Sequence, residues 1–219
     1  MLQKRNAVFV GIFIALEAVL YWLILAGGEY YTCYAYLSIV LCFVYGLLHG
    51  KSIKLWMLAG MACTLGADYF LVVCSPSDQF WGMVFFMAAQ SMYAAALHTE
   101  KLCKPILVVR IALTVAAPLV TAVILREKTD ALAVISVCYY VNLIMNLITA
   151  FSNRKLLLGF GFVLFLLCDT VIGLQVMAKG YLPIEAGTIL YRIIFTNFNL
   201  AWLFYLPSQV LIAISSDKV

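Results

Sequence analysis

Charge is scarce in this sequence: of 219 residues, 14 are Lys or Arg and 10 are Asp or Glu. That is 11% charged, against about 25% in a typical soluble domain. A chain so poor in charge cannot cover itself with polar surface, which excludes an ordinary water-soluble globule. The net charge of +4 is spread through short loops, with no basic block that would suit nucleic acid, so no nucleic-acid partner is expected. No C-x-x-C pair occurs among Cys33, Cys42, Cys63, Cys74, Cys103, Cys138 and Cys168, and most lie inside apolar runs. That spacing argues against a disulfide framework or a zinc site and favours reading them as small buried hydrophobes. There is no metal or other cofactor to expect, and no linker long enough to set off a second domain.

Apolar residues fill the space that charge leaves: 66% of the chain is hydrophobic and its mean hydropathy is +1.06. In lipid every backbone N–H and C=O must be satisfied within the protein, so the spans are helices or a closed barrel. The apolar stretches are continuous over about 20 residues rather than alternating over about ten, which selects helices. Spans are expected near 6–26, 30–48, 54–73, 80–97, 105–125, 131–151, 156–178 and 187–214. The fold class is therefore all-α, a polytopic bundle of about eight membrane-spanning helices forming one domain over residues 1–219. Gly27-Gly28-Glu29, His49-Gly50-Lys51, Ser75-Pro76-Ser77-Asp78, His98 through Pro105, Arg126-Glu127-Lys128, Ser152 through Lys155, and Lys179 through Pro183 separate the spans. The first run is longer than a signal-peptide core, and Ala26-Gly27-Gly28 is a poor cleavage site, so it is expected to remain as a span.

Loop charge orients such a bundle. With a cytoplasmic N-terminus, that side receives Lys4, Arg5, Lys51, Lys54, Lys101, Lys104, Arg154, Lys155 and Lys218, against Arg126, Lys128 and Lys179 opposite. Both termini are expected on the cytoplasmic side, which is consistent with an even number of spans, since both ends then share a side.

An ionisable side chain at the bilayer centre costs at least about 2.5–3.5 kcal/mol on insertion scales, so each one is a candidate site. The candidates are Glu17, Asp68, Arg110, Asp169 and Arg192. Arg110 lies near a span end and is expected to snorkel; Arg192 can do likewise or pair with an acid. For Glu17, a functional site and a structural pairing are both open. Asp68 lies about 14 residues into its span and Asp169 about 13, so at ~1.5 Å per residue each sits about 20 Å from the cytoplasmic start. The intervening antiparallel span carries Phe86, Gln90 and Tyr93 at i, i+4, i+7 on one face. Two acids and a hydrogen-bonding face at one level can make an interior polar pocket, although polar contacts that only join helices would produce the same pattern.

Tyr139, Tyr140, Asn142 and Asn146 could line that pocket or bond between helices. Asn197, Asn199, Tyr205 and Gln209 mark the last span, where Pro207 should kink or loosen the helix. Tyr205 and Gln209 share a face. Gly46-x-x-x-Gly50 is weak evidence for helix dimerisation and leaves a homo-oligomer open.

Four segments, in order, resemble signatures of the lysoplasmalogenase-like membrane proteins, the YhhN family. Ala67-Asp68-Tyr69-Phe70-Leu71 is similar to its Gly-Asp-x-x-Leu element, with Ala67 for the glycine. Gly82…Phe86…Gln90…Tyr93 is similar to Gly-x-x-x-Phe-x-x-x-His-x-x-Tyr, with Gln90 where histidine is common. Gly161…Phe165…Cys168-Asp169 resembles Gly-x-x-x-Phe-x-x-Ser-Asp, with Cys168 for serine. Tyr205…Gln209…Ile212-Ala213 resembles Tyr-x-x-x-Gln-x-x-Ile-Ala.

The resemblance implies an eight-helix membrane hydrolase that adds water across the sn-1 vinyl-ether bond of lysoplasmalogens. The products would be a fatty aldehyde and a glycerophosphoethanolamine or glycerophosphocholine. Vinyl ethers hydrolyse by protonation of the β-carbon, giving an oxocarbenium ion that water captures. Burial favours the neutral form of a carboxylic acid, and two nearby carboxylates resist ionising together, so one can keep a proton to donate. On that reading Asp68 and Asp169 are the catalytic pair, as general acid and as cation stabiliser or water base. Phe86, Gln90, Tyr93, Tyr205 and Gln209 are the substrate-binding set. The expected partners are a lysophospholipid substrate and membrane lipids. Two other classes compete: a transporter whose acids carry protons or a cationic solute, and a scaffold or sensor whose polar groups only specify packing. The two halves carry no convincing internal repeat, as a transporter often would.

Overall fold

The structure, a computed structural model, describes residues 2–49, 55–100, 104–180, 185, 187–196 and 199–216. Gly50, Lys51, Lys54, Lys101, Cys103, Pro183, Asn197 and Lys218 lie outside the described residues, as do the side chains of Lys4 and Arg5.

The described chain is helical and holds no strand. Its helices are α1 (Leu2–Ala26), α2 (Tyr31–His49), α3 (Leu55–Asp68), α4 (Gln79–Glu100), α5 (Lys104–Leu125), α6 (Ala131–Ser152), α7 (Leu156–Gly180), α8 (Ile189–Ile194) and α9 (Leu200–Ser215). A π-helical turn, Tyr69–Val73, continues α3. Seven stretches are long and apolar enough to cross a bilayer: Ala7–Ala26, Tyr31–Leu48, Leu55–Val73, Gln79–His98, Lys104–Lys128, Ala131–Ser152 and Leu156–Gly180. This is a multi-pass membrane protein.

The expected eighth span, 187–214, is not one helix. The chain forms the short α8, breaks, and restarts as the 16-residue α9. Apolar composition hides the break, but the local chemistry makes it. Thr188 accepts the backbone N–H of Tyr191 and so caps α8, while the Asn199 side chain accepts the N–H of Trp202 and starts α9 anew. Gln175 of α7 donates to the carbonyl of Ile194, one of the acceptors left open where α8 stops.

Six helices close a ring: α2 packs on α3, α3 on α4, α4 on α6, α6 on α7, α7 on α9, and α9 back on α2. The first helix covers the α2–α9 seam, and α5 lies against α6. Val108, Val115, Leu119, Val120, Val123 and Ile124 of α5 are exposed, as lipid-facing residues are. Two glycines let the turn between α1 and α2 close, Gly27 at φ 74° and Gly28 at φ 115°.

Two prolines sit inside helices, Pro118 in α5 and Pro207 in α9. A proline has no N–H, so the carbonyl four residues earlier loses its helical partner. Both of those carbonyls are served from a neighbouring helix. The Tyr21 hydroxyl of α1 donates to Leu203 O at 3.0 Å, and the Cys138 thiol of α6 reaches Thr114 O at 3.7 Å. Each proline thus ties its helix to another one, as the dry interior requires.

Candidate active site

Asp68 is the last α-helical residue of α3 before the π-helical turn, and it is buried. A π turn adds a residue to the helical repeat and re-aims the side chains beside it. The Tyr205 hydroxyl of α9 donates to Asp68 Oδ2 at 2.5 Å. Asp169, half-buried in the middle of α7, accepts a hydrogen bond on Oδ2 from the Tyr139 hydroxyl of α6. Each acid on the ring's inner wall is therefore held by a tyrosine from an adjacent helix, and the two carboxyls lie within electrostatic reach of each other.

Aromatic rings fill the layer between them. Phe86 and Phe165 meet edge to face at 5.6 Å, Phe165 and Tyr205 at 5.4 Å, and Phe86 and Tyr205 at 6.3 Å. Phe86 also lies 5.7 Å from Tyr139. Both phenols that hold the acids are thus packed against the same two phenylalanines. Trp202 extends the cluster from Tyr205 to Tyr31 of α2. These contacts fix the tyrosine rings, so the hydroxyls are aimed by packing as well as by their bonds.

Small residues bring the walls together. A Cβ on Gly82 would strike the Leu71 side chain, and one on Gly161 would meet Ile212 at 3.0 Å and the Ser208 carbonyl at 3.3 Å. The four sequence signatures therefore interlock: Leu71 of the first covers Gly82 of the second, and Gly161 of the third seats Ile212 of the fourth. Asp68, Phe86, Phe165, Asp169 and Tyr205, drawn from all four, share one layer. A family model for the YhhN family matches residues 30–216. The chain belongs to the YhhN family. No curated protein and no solved structure matches it.

Three further residues of the expected substrate-binding set of this YhhN protein make contacts of their own. Gln90 is fully buried one turn beyond Phe86, where its side-chain Oε1 and main-chain oxygen both accept from Asn146 Nδ2 at 2.8 Å. Tyr93 is fully buried against Gly60 and Phe162 and shares a hydrogen bond with Thr64 at 3.2 Å. Gln209 lies one turn past Tyr205, and its Nε2 donates to Ser208 Oγ at 3.4 Å. The i, i+4, i+7 face of α4 exists: Phe86 joins the aromatic layer at the acids, and Gln90 and Tyr93 continue it along the helix, with Tyr93 still within electrostatic reach of Asp68.

Arg110 does not snorkel. It is buried, and its guanidinium donates from Nη1 to Asn142 Oδ1 at 3.2 Å and from Nη2 to Asn146 Oδ1 at 2.8 Å and Thr149 Oγ1 at 3.5 Å. Those acceptors lie on α6, a helix whose polar residues at 142, 146 and 149 face α5, so a fixed hydrogen-bonded seat replaces the exit to water. Arg192 is exposed on α8, outside the long apolar spans. Glu17 is buried in α1 and accepts from Ser38 Oγ at 2.6 Å and the Cys42 thiol at 3.4 Å, a pairing that joins α1 to α2.

Among the described residues no three His, Cys, Asp or Glu side chains converge to hold a metal ion. The six described cysteines, Cys33, Cys42, Cys63, Cys74, Cys138 and Cys168, are free thiols. Sequence reasoning passed over Trp202 and Phe165 as site neighbours, since aromatic residues are common throughout the chain. It left Tyr139 undecided between cavity lining and helix contact. The signal available was position: Tyr139 lies about midway along its span, at the depth of the acids rather than of the interfacial belts.

Proposed function

We propose that this protein hydrolyses the vinyl-ether bond of a lysoplasmalogen, releasing a fatty aldehyde and a glycerophospho-ethanolamine or -choline. The observation that carries the reading is the pair of carboxyls in one apolar layer, each held by one tyrosine hydroxyl. In both acids the tyrosine occupies Oδ2; Asp169 also takes a side-chain hydrogen bond from Cys168, while Oδ1 of Asp68 is left to hold or take a proton. One acid transfers its proton to the β-carbon of the vinyl ether, and the π electrons form the new C–H bond. The α-carbon and ether oxygen then share the positive charge of an oxocarbenium ion. The other carboxyl, ionised, stabilises that cation and takes a proton from the water that adds to the α-carbon. The resulting hemiacetal breaks its C–O bond to the glycerol and yields aldehyde and alcohol. The rings of Phe86, Phe165, Tyr139 and Tyr205 keep bulk water from the acids and offer π faces to the cation.

Membership of the YhhN family supports a lysoplasmalogenase-like assignment, and the long apolar helices suit a substrate that arrives through the bilayer. Aldehyde release by the protein purified in detergent tests the reading. A lysoplasmalogen should yield aldehyde. The corresponding saturated alkyl-ether lysolipid should yield none, because it has no double bond to protonate. Absence of aldehyde from every lysoplasmalogen head group would refute the assignment.

A further inference from the structure

A second polar cluster lies beside the acid layer and is unlike it in sign. Arg110 of α5 is buried with a full positive charge, and its three partners, Asn142, Asn146 and Thr149, are all neutral. Among the described residues no carboxylate pairs with it. The hydrogen-bond pattern settles how the amides point. Asn146 Oδ1 accepts from Arg110, so its Nδ2 faces Gln90 and bonds Gln90 Oε1. Gln90 Nε2 is consequently turned away, fully buried, with no partner. Arg110 Nε is also buried without a partner, and so are both ring nitrogens of His98, which lies within electrostatic range of the guanidinium. Arg110 and Gln90, on two helices and joined through Asn146, thus carry unused N–H groups at one uncompensated cation, while His98 lies about two turns beyond Gln90. A buried unpaired charge and idle donors each cost free energy. An anion with several acceptor oxygens would satisfy both at once.

Position identifies the anion. Tyr139, Asn142 and Asn146 lie at i, i+3, i+7 on one stripe of α6, which starts at the hydroxyl that holds Asp169 and ends at Arg110. The rise from Tyr139 to Asn146 is about 10 Å, and from Phe86 to Gln90 on α4 about 6 Å. In an sn-1 ether lysophospholipid a chain of about five bonds, roughly 1.5 Å each, separates the ether oxygen from phosphorus, a reach of about 6 Å. We propose that Arg110 and Gln90 bind the phosphate of the lysophospholipid headgroup, so that its ether oxygen falls in the Asp68–Asp169 layer. Of the two rises, the one from Phe86 to Gln90 matches that reach; this comparison rests on the hydrolase reading above, and the unpartnered donors do not.

The test uses two lipids that cannot be hydrolysed by vinyl-ether protonation: a saturated hexadecyl-ether lysophosphoethanolamine and hexadecylglycerol, which has the same tail and no phosphate. Binding of each to the full-length protein in detergent is measured by titration. Wild type should prefer the phosphate-bearing lipid, and Arg110→Gln should lose about ten- to a hundredfold of that preference. Binding of hexadecylglycerol should not change. Arg110→Lys, which keeps the charge, should retain part of the preference. Gln90→Met, which keeps volume and all of the Arg110 bonds to α6 except the support of Asn146, should lose several-fold and serves if Arg110→Gln does not fold. Equal binding of both lipids by wild type, or full preference in Arg110→Gln, would overturn the proposal. Protection from thermal unfolding by inorganic phosphate, without preference between the lipids, would assign the site to free phosphate and overturn the headgroup. Asp68→Asn separates this inference from the hydrolase reading, since it should leave the phosphate preference intact whatever it does to aldehyde release.

Discussion

Tyr205 donates its hydroxyl to Oδ2 of Asp68, joining the last helix to the end of α3 across 137 positions of sequence. Tyr139 does the same for Asp169 from α6. Removing either hydroxyl leaves a carboxyl in place but without its tyrosine donor. Tyr205→Phe and Tyr139→Phe should keep the fold, because Phe86 and Phe165 still pack against the ring. Each should lower the rate of aldehyde release by about ten- to a hundredfold, the value of a hydrogen bond to a charged group. Unchanged rates in both variants would mean that the tyrosines only brace helices.

Tyr21 tests the proline rule. Its hydroxyl is the partner of the Leu203 carbonyl that Pro207 leaves without an N–H. Tyr21→Phe should destabilise the protein by about 1–3 kcal/mol. Pro207→Ala, which restores the N–H, should recover much of that loss in the double variant. Thermal unfolding in detergent measures both, and additive losses would contradict the pairing.

Close contact between α3 and α4 depends on Gly60, where a Cβ would collide with the ring of Tyr93. Gly60→Leu should cost about 1–3 kcal/mol or more through overpacking. Gly173, with no heavy atom within 4 Å of a built Cβ, should tolerate alanine with little change. Equal melting temperatures for the two variants would refute the close approach.

Glu17 accepts two hydrogen bonds from α2, and neither comes from an acid-layer residue. Glu17→Gln should therefore leave aldehyde release near wild type. Glu17→Leu should lower stability by about 1–3 kcal/mol, because Ser38 loses its buried acceptor. Loss of activity in a well-folded Glu17→Gln would place this third acid in the reaction.

Much of this arrangement was legible in the sequence. Hydropathy alone placed seven of the spans, since each is bounded by charged, Gly or Pro residues. Counting residues along the spans puts Asp68 and Asp169 at similar depth, and the structure brings the two carboxyls within electrostatic reach of each other. Two things did not follow. The break before α9 lies in an apolar stretch, and only the capping behaviour of Thr188 and Asn199 marks it. Arg110 looked like a snorkelling cation because its own helix is otherwise apolar; its seat is built by Asn142, Asn146 and Thr149 of another helix.

The most direct measurement is aldehyde release from a lysoplasmalogen by Asp68→Asn and Asp169→Asn. Each should fall by about 10²–10⁴-fold, as loss of a general acid or base does, while the melting temperature and the phosphate preference of lipid binding persist. Wild-type rates in both folded variants would show that these two acids do not carry the reaction.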